Sequence, residues 1–292
     1  ALGHLVSGGL ASPALYFRFP LCEDLVRRSL LTGVHGELLA GWLQALVPGA
    51  QVCSLVHWQS VPQATEAEVN RWRIKLGADE DTVLIGCFGY IGAARRLDRL
   101  IDALATMPSS CRFLLVVVGW VDPALQLPER AESRGIADRI RWPGRVSDSD
   151  FGALLRAVDL AVNLRFPPAR SSSAVLHQLL QLGVPTVITD LVHWRNYPDD
   201  AVARVPPGPD EAETAALQLV LERWLSQPPA RERARRAARQ WAVTHLGPQQ
   251  MVNSYLRAVT RAIGCGEADG GHVSSGRAFR PPAAEMEPPD LG

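Results

Sequence analysis

Lysine is almost absent from this 292-residue sequence: Lys75 is the only one, and the other 29 of the 30 Lys and Arg residues are arginines. The 30 basic residues balance 30 acidic ones, so the formal net charge is zero. A neutral chain has no long-range field that would attract nucleic acid or an anionic membrane. We therefore expect recognition at local sites. Because arginine is used almost everywhere, an arginine where lysine is usual carries little information.

Cysteines are few, and no long apolar run is present. The five cysteines are scattered along the chain: Cys22, Cys53, Cys87, Cys111 and Cys265. Their spacing fits neither a zinc site nor a disulfide framework, which favours a reducing, cytoplasmic location. The longest apolar run, Phe113 to Val118, is far shorter than the roughly 20 residues that cross a bilayer. We expect no membrane span, no export and no bound metal.

Composition and periodicity divide the chain into four parts. Residues 1–62 are predicted to be the remainder of a first domain, and 63–80 a linker helix. Residues 81–264 form the main domain. Residues 265–292 are rich in Gly, Pro, Ser and Ala with few large apolar side chains, so burial cannot offset their ordering entropy. They are predicted to be a disordered tail.

The main domain alternates short β-rich runs with helical stripes. The predicted strands are Val83–Phe88, Arg112–Val118, Arg139–Trp142, Leu160–Leu164 and Pro185–Thr189. Ser147 with Asp150, like Thr65 with Glu68 in the linker, has the spacing of a helix N-cap. Strands that alternate with helices predict an α/β fold with a doubly wound parallel sheet. Upstream, residues 21–31 are predicted to be helical and Gln51–Val56 to be a strand.

In such sheets ligands bind beyond the carboxyl ends of the strands. The first of these loops, Gly89 to Arg96, contains two glycines and leads into a helix, as a diphosphate-binding loop would. An ordinary flexible turn with exposed arginines explains it equally well, because glycine-rich turns are weak motifs.

The loop after the fourth predicted strand, Asn163 to Ser173, carries Arg165, Arg170 and three serines at the start of a helix. Serine hydroxyls and backbone N–H groups could bind an anion there, although helix capping explains any single serine. His177 on the same helix could face a ligand, but a packed histidine is the commoner case.

Other polar residues have plainer explanations. His35, His57 and His193 have no metal-ligand spacing and are interpreted as structural. Several arginines cover the polar face of one Ala-rich helix: Arg231, Arg233, Arg235, Arg236 and Arg239. In a neutral chain without interleaved aromatic residues, this face is expected to be solvated rather than to bind nucleic acid.

From about residue 20 to 262 the sequence resembles the glycosyltransferase group 1 proteins, family four of the retaining enzymes with the GT-B fold. The segments that carry the resemblance are GCFGYIGAARRLDRLIDAL, FLLVVVG, IRWPGRVSDSDFGALLRAVDLAVNLRFPP, AVLHQLLQLGVPTVITD and VPPGPDE. They are collinear with the family's C-terminal donor domain. The resemblance implies that residues 81–264 are a Rossmann-like domain for a nucleotide sugar, and that 1–62 are the remainder of an N-terminal acceptor-side domain.

The resemblance also implies roles for single residues. Arg95 stands where the family has a lysine that holds the donor diphosphate, and it is the expected catalytic residue. Gly119 and Arg145 match positions that line the nucleotide pocket. The other implied donor contacts are Gly89, Tyr90, Ser171, Ser172, Ser173, Val175 and Gln178.

Two donor positions depart from the family pattern. Ser171 replaces a glutamate that contacts the donor sugar, and Gln178 replaces a second glutamate that binds ribose. Glutamine can still hydrogen-bond a ribose hydroxyl, whereas Ser171 is shorter than glutamate and uncharged.

Three functional hypotheses follow. The first is a retaining glycosyltransferase that uses a nucleotide-sugar donor, an unidentified glycan, lipid or small-molecule acceptor, and no cofactor. The second is a catalytically impaired nucleotide-binding homologue that acts as a partner or regulatory subunit. A sugar-nucleotide epimerase would need acid and base carboxylates in the cleft, and the sequence does not offer them.

Overall fold

A computed structural model describes residues 22–167 and 172–264. Contacts divide the chain into two compact units. The described part of the first comprises residues 22–56 and 249–264, and that of the second comprises 57–167 and 172–248. The predicted tail, 265–292, lies outside the described residues.

The first unit begins with two short helices and two short strands. They are α1 (Glu23–Arg28), β1 (Thr32–Val34), α2 (Glu37–Leu46) and β2 (Val52–Ser54). The strands pair in parallel, with Gly33 opposite Cys53. Val26, Leu43 and Val47 form the buried centre of this small core. The helix predicted over residues 21–31 is shorter in the structure: α1 ends at Arg28, and β1 begins at Thr32.

The second unit contains a six-stranded sheet. Its strands are β3 (Val83–Phe88), β4 (Phe113–Val118), β5 (Ile140–Gly144), β6 (Leu160–Asn163), β7 (Thr186–Thr189) and β8 (Val202–Val205). They lie in the order β5-β4-β3-β6-β7-β8, and every neighbouring pair is parallel. This is the order of a doubly wound sheet, as the alternation predicted.

Seven helices surround this sheet: α3 (Glu66–Leu76), α4 (Leu97–Ala105), α5 (Leu127–Ser133), α6 (Asp148–Ala157), α7 (Ala174–Leu182), α8 (Asp210–Ser226) and α9 (Pro228–His245). Successive strand residues point to opposite faces. Ile85 accordingly belongs to a core with Leu100 of α4, and its neighbour Leu84 to a second core with Leu154 of α6. Both faces of the sheet are therefore covered.

Both predicted N-caps are confirmed. The Thr65 side chain accepts a hydrogen bond from the Glu68 backbone, and the Glu68 side chain accepts one from the Thr65 backbone at 2.7 Å. The Ser147 hydroxyl accepts from the Asp150 backbone at 3.2 Å. Each helix start is thus fixed by residues within its own first turn.

Other boundaries differ from the sequence-based ones. The last helix, α10 (Pro248–Ala262), belongs to the first unit from Gln249 onward, and its Ser254 hydroxyl accepts from the Val56 backbone at 3.1 Å. The second unit starts at His57, within the segment predicted to end the first domain. None of the helices in the described ranges is both long and apolar enough to cross a membrane.

Candidate functional site

The sheet reverses its winding between β3 and β6, which are neighbours in space although two βα units separate them in sequence. β3 pairs with β6 through Ile85 and Leu160, so the loops that follow Phe88 and Asn163 leave the same edge of the sheet. Helices depart in opposite directions at such a switch point and leave a crevice for a ligand. Two of the predicted donor loops meet here.

Glycines let the loop after β3 and the loop after β4 run in close contact. Gly89 and Gly119 have positive φ angles of 101° and 128°. A Cβ atom at Gly119 would lie 2.0 Å from the Gly89 carbonyl oxygen, so no larger residue fits. The two residues that follow, Tyr90 and Trp120, stack with ring centroids 4.9 Å apart and are 61% and 39% exposed.

The loops after β3 and β4 have the same backbone design. A 3₁₀ turn occupies Ala93–Arg95 in the first and Pro123–Leu125 in the second. A left-handed residue, Arg96 or Gln126, then precedes the helix in each. The second loop has Leu125 where the first has Arg95. Because leucine supports the same turn, the turn itself does not require an arginine.

Arg95 folds back over the end of β3. Its Nη2 donates to the Phe88 carbonyl at 2.7 Å and its Nε to the Tyr90 carbonyl at 3.2 Å, while Nη1 donates to the Asn163 side chain. Burial, followed by repulsion from Arg165, lowers the pKa of Arg95 to about 10. The guanidinium remains charged at neutral pH.

Arg165 brings a second guanidinium to the same place. Burial lowers the pKa of Arg165. Its Nη2 donates to the Ser173 hydroxyl at 3.4 Å, and its buried Nε has no hydrogen-bond partner in the described part of the chain. Within residues 22–167 and 172–264, neither Arg95 nor Arg165 forms an ion pair with a carboxylate. Two partly buried like charges without a carboxylate partner among these residues favour an anionic ligand.

The start of α7 completes the crevice. Ser173 is the N-cap and accepts from the Leu176 backbone at 3.3 Å. Its hydroxyl, in a residue only 1% exposed, also accepts from Asn163 at 3.2 Å. Ser173 is therefore the capping residue, as ordinary helix capping predicts. Its hydroxyl links the helix start to Arg165 directly and to Arg95 through Asn163. Backbone N–H groups at a helix start add further positive potential.

The other residues predicted on α7 are packed. The Gln178 side chain is 6% exposed and donates to the Ser60 carbonyl at 2.7 Å. Val175 is half-buried against the second core. Ser171 and Arg170 lie outside the described residues. The donor contacts assigned to these positions remain predictions.

Arg145 lines a cavity of about 300 Å³ beyond β4 and β5. Trp120, Trp142 and Pro128 are among its apolar lining residues, and Gly119 also lines it. A flat aromatic ring of nucleobase size fits such a space. The sequence indicated Gly119 and Arg145 here, but the tryptophans were missed, because nothing in the local sequence marks them as pocket residues.

The structure adds two polar residues that the sequence did not single out. Asn163, the last residue of β6, is 2% exposed and connects Arg95 to Ser173. A buried polar residue at the end of an apolar strand is the signal that could have identified it. His57, which the sequence analysis interpreted as structural, lies 2.6 Å from the Ser172 hydroxyl through Nδ1.

His177 is packed rather than directed at a ligand. It is 5% exposed, and its Nε2 lies 2.7 Å from the Tyr197 hydroxyl. Burial raises the pKa of Tyr197, so that hydroxyl stays protonated. In the described part of the chain no three His, Cys, Asp or Glu side chains are grouped to hold a metal ion. The expectation that no metal is needed is untested.

Comparison with known families matches residues 68–241 to the model described as "Glycosyl transferases group 1". The chain belongs to this family. The match spans β3 to β8, and therefore includes both arginines and the start of α7. The resemblance found in the sequence is confirmed.

Relatives of this group 1 chain support the same assignment. Lipopolysaccharide glucosyltransferase WaaG of Escherichia coli is 30% identical over 190 residues, which cover 64% of this chain and 48% of that protein. The chain thus spans about half the length of the curated relative it matches.

Solved structures show the fold. Anabaena HepE in complex with UDP-glucose has a TM-score of 0.72 at 16% identity, with 87% of this chain and 68% of that chain covered. The C-terminal domain of the group 1 protein LpcC from Francisella tularensis has a TM-score of 0.52 at 18% identity, with 63% and 95% covered. The predicted α/β fold of the GT-B type, with its parallel Rossmann-like sheet, is confirmed.

Proposed function

We propose that the second unit binds a nucleoside-diphosphate sugar, and that the protein transfers the sugar to an acceptor with retention of configuration. The observation that carries this proposal is the pair of partly buried guanidiniums, Arg95 and Arg165, which lack a carboxylate partner among the described residues. They lie at the switch point of the sheet, where ligands of doubly wound folds bind.

The chemistry follows from where negative charge accumulates. Transfer breaks the bond between the anomeric carbon and the phosphate oxygen, and the diphosphate leaves with both electrons of that bond. The acceptor oxygen bonds to the same carbon, and its proton passes to an oxygen of the departing diphosphate. Arg95, Arg165 and the start of α7 are positioned to stabilise the departing diphosphate, which is electrostatic catalysis of the leaving group.

Two further features support a nucleotide. The cavity lined by Trp120, Trp142 and Arg145 has a volume of about 300 Å³ and apolar lining residues, as a base pocket would. The similar HepE structure contains UDP-glucose, which makes UDP the first ligand to test. The acceptor is a glycan, a lipid or a small molecule, and the fold does not select among them.

Calorimetric titration with UDP, GDP and ADP tests donor binding, and turnover of the matching sugar nucleotides tests transfer. Arg95→Met should weaken diphosphate binding by about 10- to 100-fold, because a charged hydrogen bond contributes about 1.5–3 kcal/mol. Arg112→Met is a matched control: Arg112 precedes β4 at the other end of the sheet and is half-exposed. The affinity of the Arg112→Met variant for the nucleoside diphosphate should equal that of wild type.

Each outcome is informative. If no nucleoside diphosphate binds, or if Arg95→Met binds as well as wild type, the proposal is wrong. Tight binding without turnover of any donor, across a panel of acceptors, would instead favour the catalytically impaired homologue. NMR of the product's anomeric proton would establish whether configuration is retained.

A further inference from the structure

The segment that opens the second unit is attached to α7 along its length. The Trp58 indole donates to the Gln181 side chain at 3.1 Å, and the Gln181 amide donates to the Gln59 carbonyl at 2.8 Å. These contacts lie at the third turn of α7. Together with the Gln178–Ser60 hydrogen bond, they fix the segment against the body of the helix.

His57 makes a different contact, at the beginning of α7. Its Nδ1 lies 2.6 Å from the Ser172 hydroxyl, across 115 residues of sequence. Its ring packs edge-on against His177 at a centroid distance of 5.2 Å. His177 is in turn held by Tyr197 at 2.7 Å. The imidazole therefore has a defined place and cannot rotate freely away from Ser172.

Ser172 occupies a sensitive position. It immediately precedes the N-cap, Ser173, whose hydroxyl contacts Asn163 and Arg165. A backbone shift at Ser172 would move the N-cap and thereby reorient the first N–H groups of α7. Those groups are the part of a helix that binds a phosphate.

We propose that His57 is a positioning residue for the donor diphosphate. By its hydrogen bond to Ser172 it holds the start of α7 in the orientation that faces the two guanidiniums. This inference rests on the proposed function, because it assumes that a nucleoside diphosphate binds in the crevice. His57 acts through Ser172 and does not itself take part in the reaction.

A purely structural role makes a different prediction. If His57 only helped to hold the segment, the loss of Trp58's hydrogen bond would have a similar effect, since both residues attach the same four-residue stretch to the same helix. Of the described hydrogen bonds between this stretch and α7, the one made by His57 lies at the start of the helix, where the diphosphate is proposed to bind. Trp58→Phe, which keeps an aromatic side chain and removes the Nε1 donor, is therefore the matched control.

The experiment is a double-mutant cycle on affinity for the nucleoside diphosphate that wild type binds best among UDP, GDP and ADP. His57→Ala and Ser172→Ala should each weaken binding about 5- to 10-fold, and the double variant should be little worse than either, because the two side chains act as one unit. His57→Asn, which can place a polar atom near Nδ1, should restore most of the affinity. Trp58→Phe should bind like wild type.

Urea unfolding of each variant separates affinity from loss of fold. The inference is overturned if His57→Ala binds normally, if the two losses multiply in the double variant, or if Trp58→Phe weakens binding as much as His57→Ala. If wild type binds none of the three nucleotides, the proposed function has failed instead. The two failures are therefore distinguishable.

Discussion

Replacing Arg165 with methionine should stabilise the ligand-free protein and weaken its binding of a nucleoside diphosphate. Arg165 is partly buried, lies close enough to Arg95 for the two charges to repel, and has a buried Nε without a hydrogen-bond partner among the described residues. Among those residues its guanidinium makes one long hydrogen bond, 3.4 Å to the Ser173 hydroxyl. Methionine keeps the apolar part of the side chain as far as the Nε position and removes the charged guanidinium.

The size of each effect follows from these contacts. The pKa of Arg95 is lowered to about 10, first by burial and then by repulsion from Arg165. A shift of this size means that keeping the Arg95 guanidinium charged in the folded protein costs about 3 kcal/mol. The lost hydrogen bond to Ser173 costs at most about 1 kcal/mol. We expect a net gain of about 0.5–2 kcal/mol in the free energy of unfolding, as is usual when a functional site gives up an unfavourable group. Affinity should fall by about 10- to 100-fold, the value of one charged hydrogen bond.

Two measurements test this prediction: urea unfolding without ligand, followed by tryptophan fluorescence, and calorimetric titration with the nucleotide. Arg165→Lys is the control, because it keeps the charge and should leave stability near that of wild type while retaining part of the affinity. The reasoning is refuted if Arg165→Met is less stable than wild type, or if it is more stable and yet binds the diphosphate unchanged. Thermal midpoints should agree with the urea data, at about 2–4 °C per kcal/mol.

Further predictions concern fold and reactivity. Gly119→Ala should lower the free energy of unfolding in urea by about 2–4 kcal/mol. The alanine Cβ would lie 2.0 Å from the Gly89 carbonyl oxygen, and the φ of 128° at this position is strained for a residue with a side chain. An unchanged urea midpoint would contradict the close approach of the two loops. Thr65→Ala should cost about 1 kcal/mol by the same assay, through loss of the capping box with Glu68. Burial raises the pKa of Cys87 to about 12, so at pH 8 it stays a thiol and should react with a thiol reagent only after unfolding. Rapid labelling of Cys87 in the native protein, read by peptide mass, would show that β3 is not buried.

The strands and helix caps that depend on nearby residues could be predicted from the sequence. Four of the five strands predicted in the main domain are found within one residue of their predicted ends, because continuous apolar runs of parallel strands are distinctive. The exception is β5, which runs on to Gly144. Thr65 and Ser147 were identifiable as caps since each bonds within its own first turn. The strand β8 was missed because it is four residues long, at the edge of the sheet, with only Val202 and Val205 fully buried.

What the sequence could not supply are the contacts between distant residues. The positions of Arg95 and Arg165 were visible in their loops, but the absence of a carboxylate near them, within the described part of the chain, depends on which loops the sheet brings together. His57 and Ser172 are 115 residues apart. No local pattern relates them, so His57 was interpreted as an ordinary packed histidine.

Charge and packing at the switch point lead to one consistent picture of the site. Ser173 and Gln178, which are predicted to contact the donor, are buried and bonded to protein groups in the ligand-free structure, Ser173 to Asn163 and Gln178 to the Ser60 carbonyl. Their described contacts therefore shape the start and the body of α7, while the uncompensated charge is left on the two guanidiniums. If the second unit binds a nucleotide sugar as proposed, most of the binding energy should come from the diphosphate, because it is the charged group that the arginines and the helix start would attract. Affinity for the free nucleoside diphosphate should then approach that for the intact donor, and discrimination between sugars should depend on groups other than these arginines.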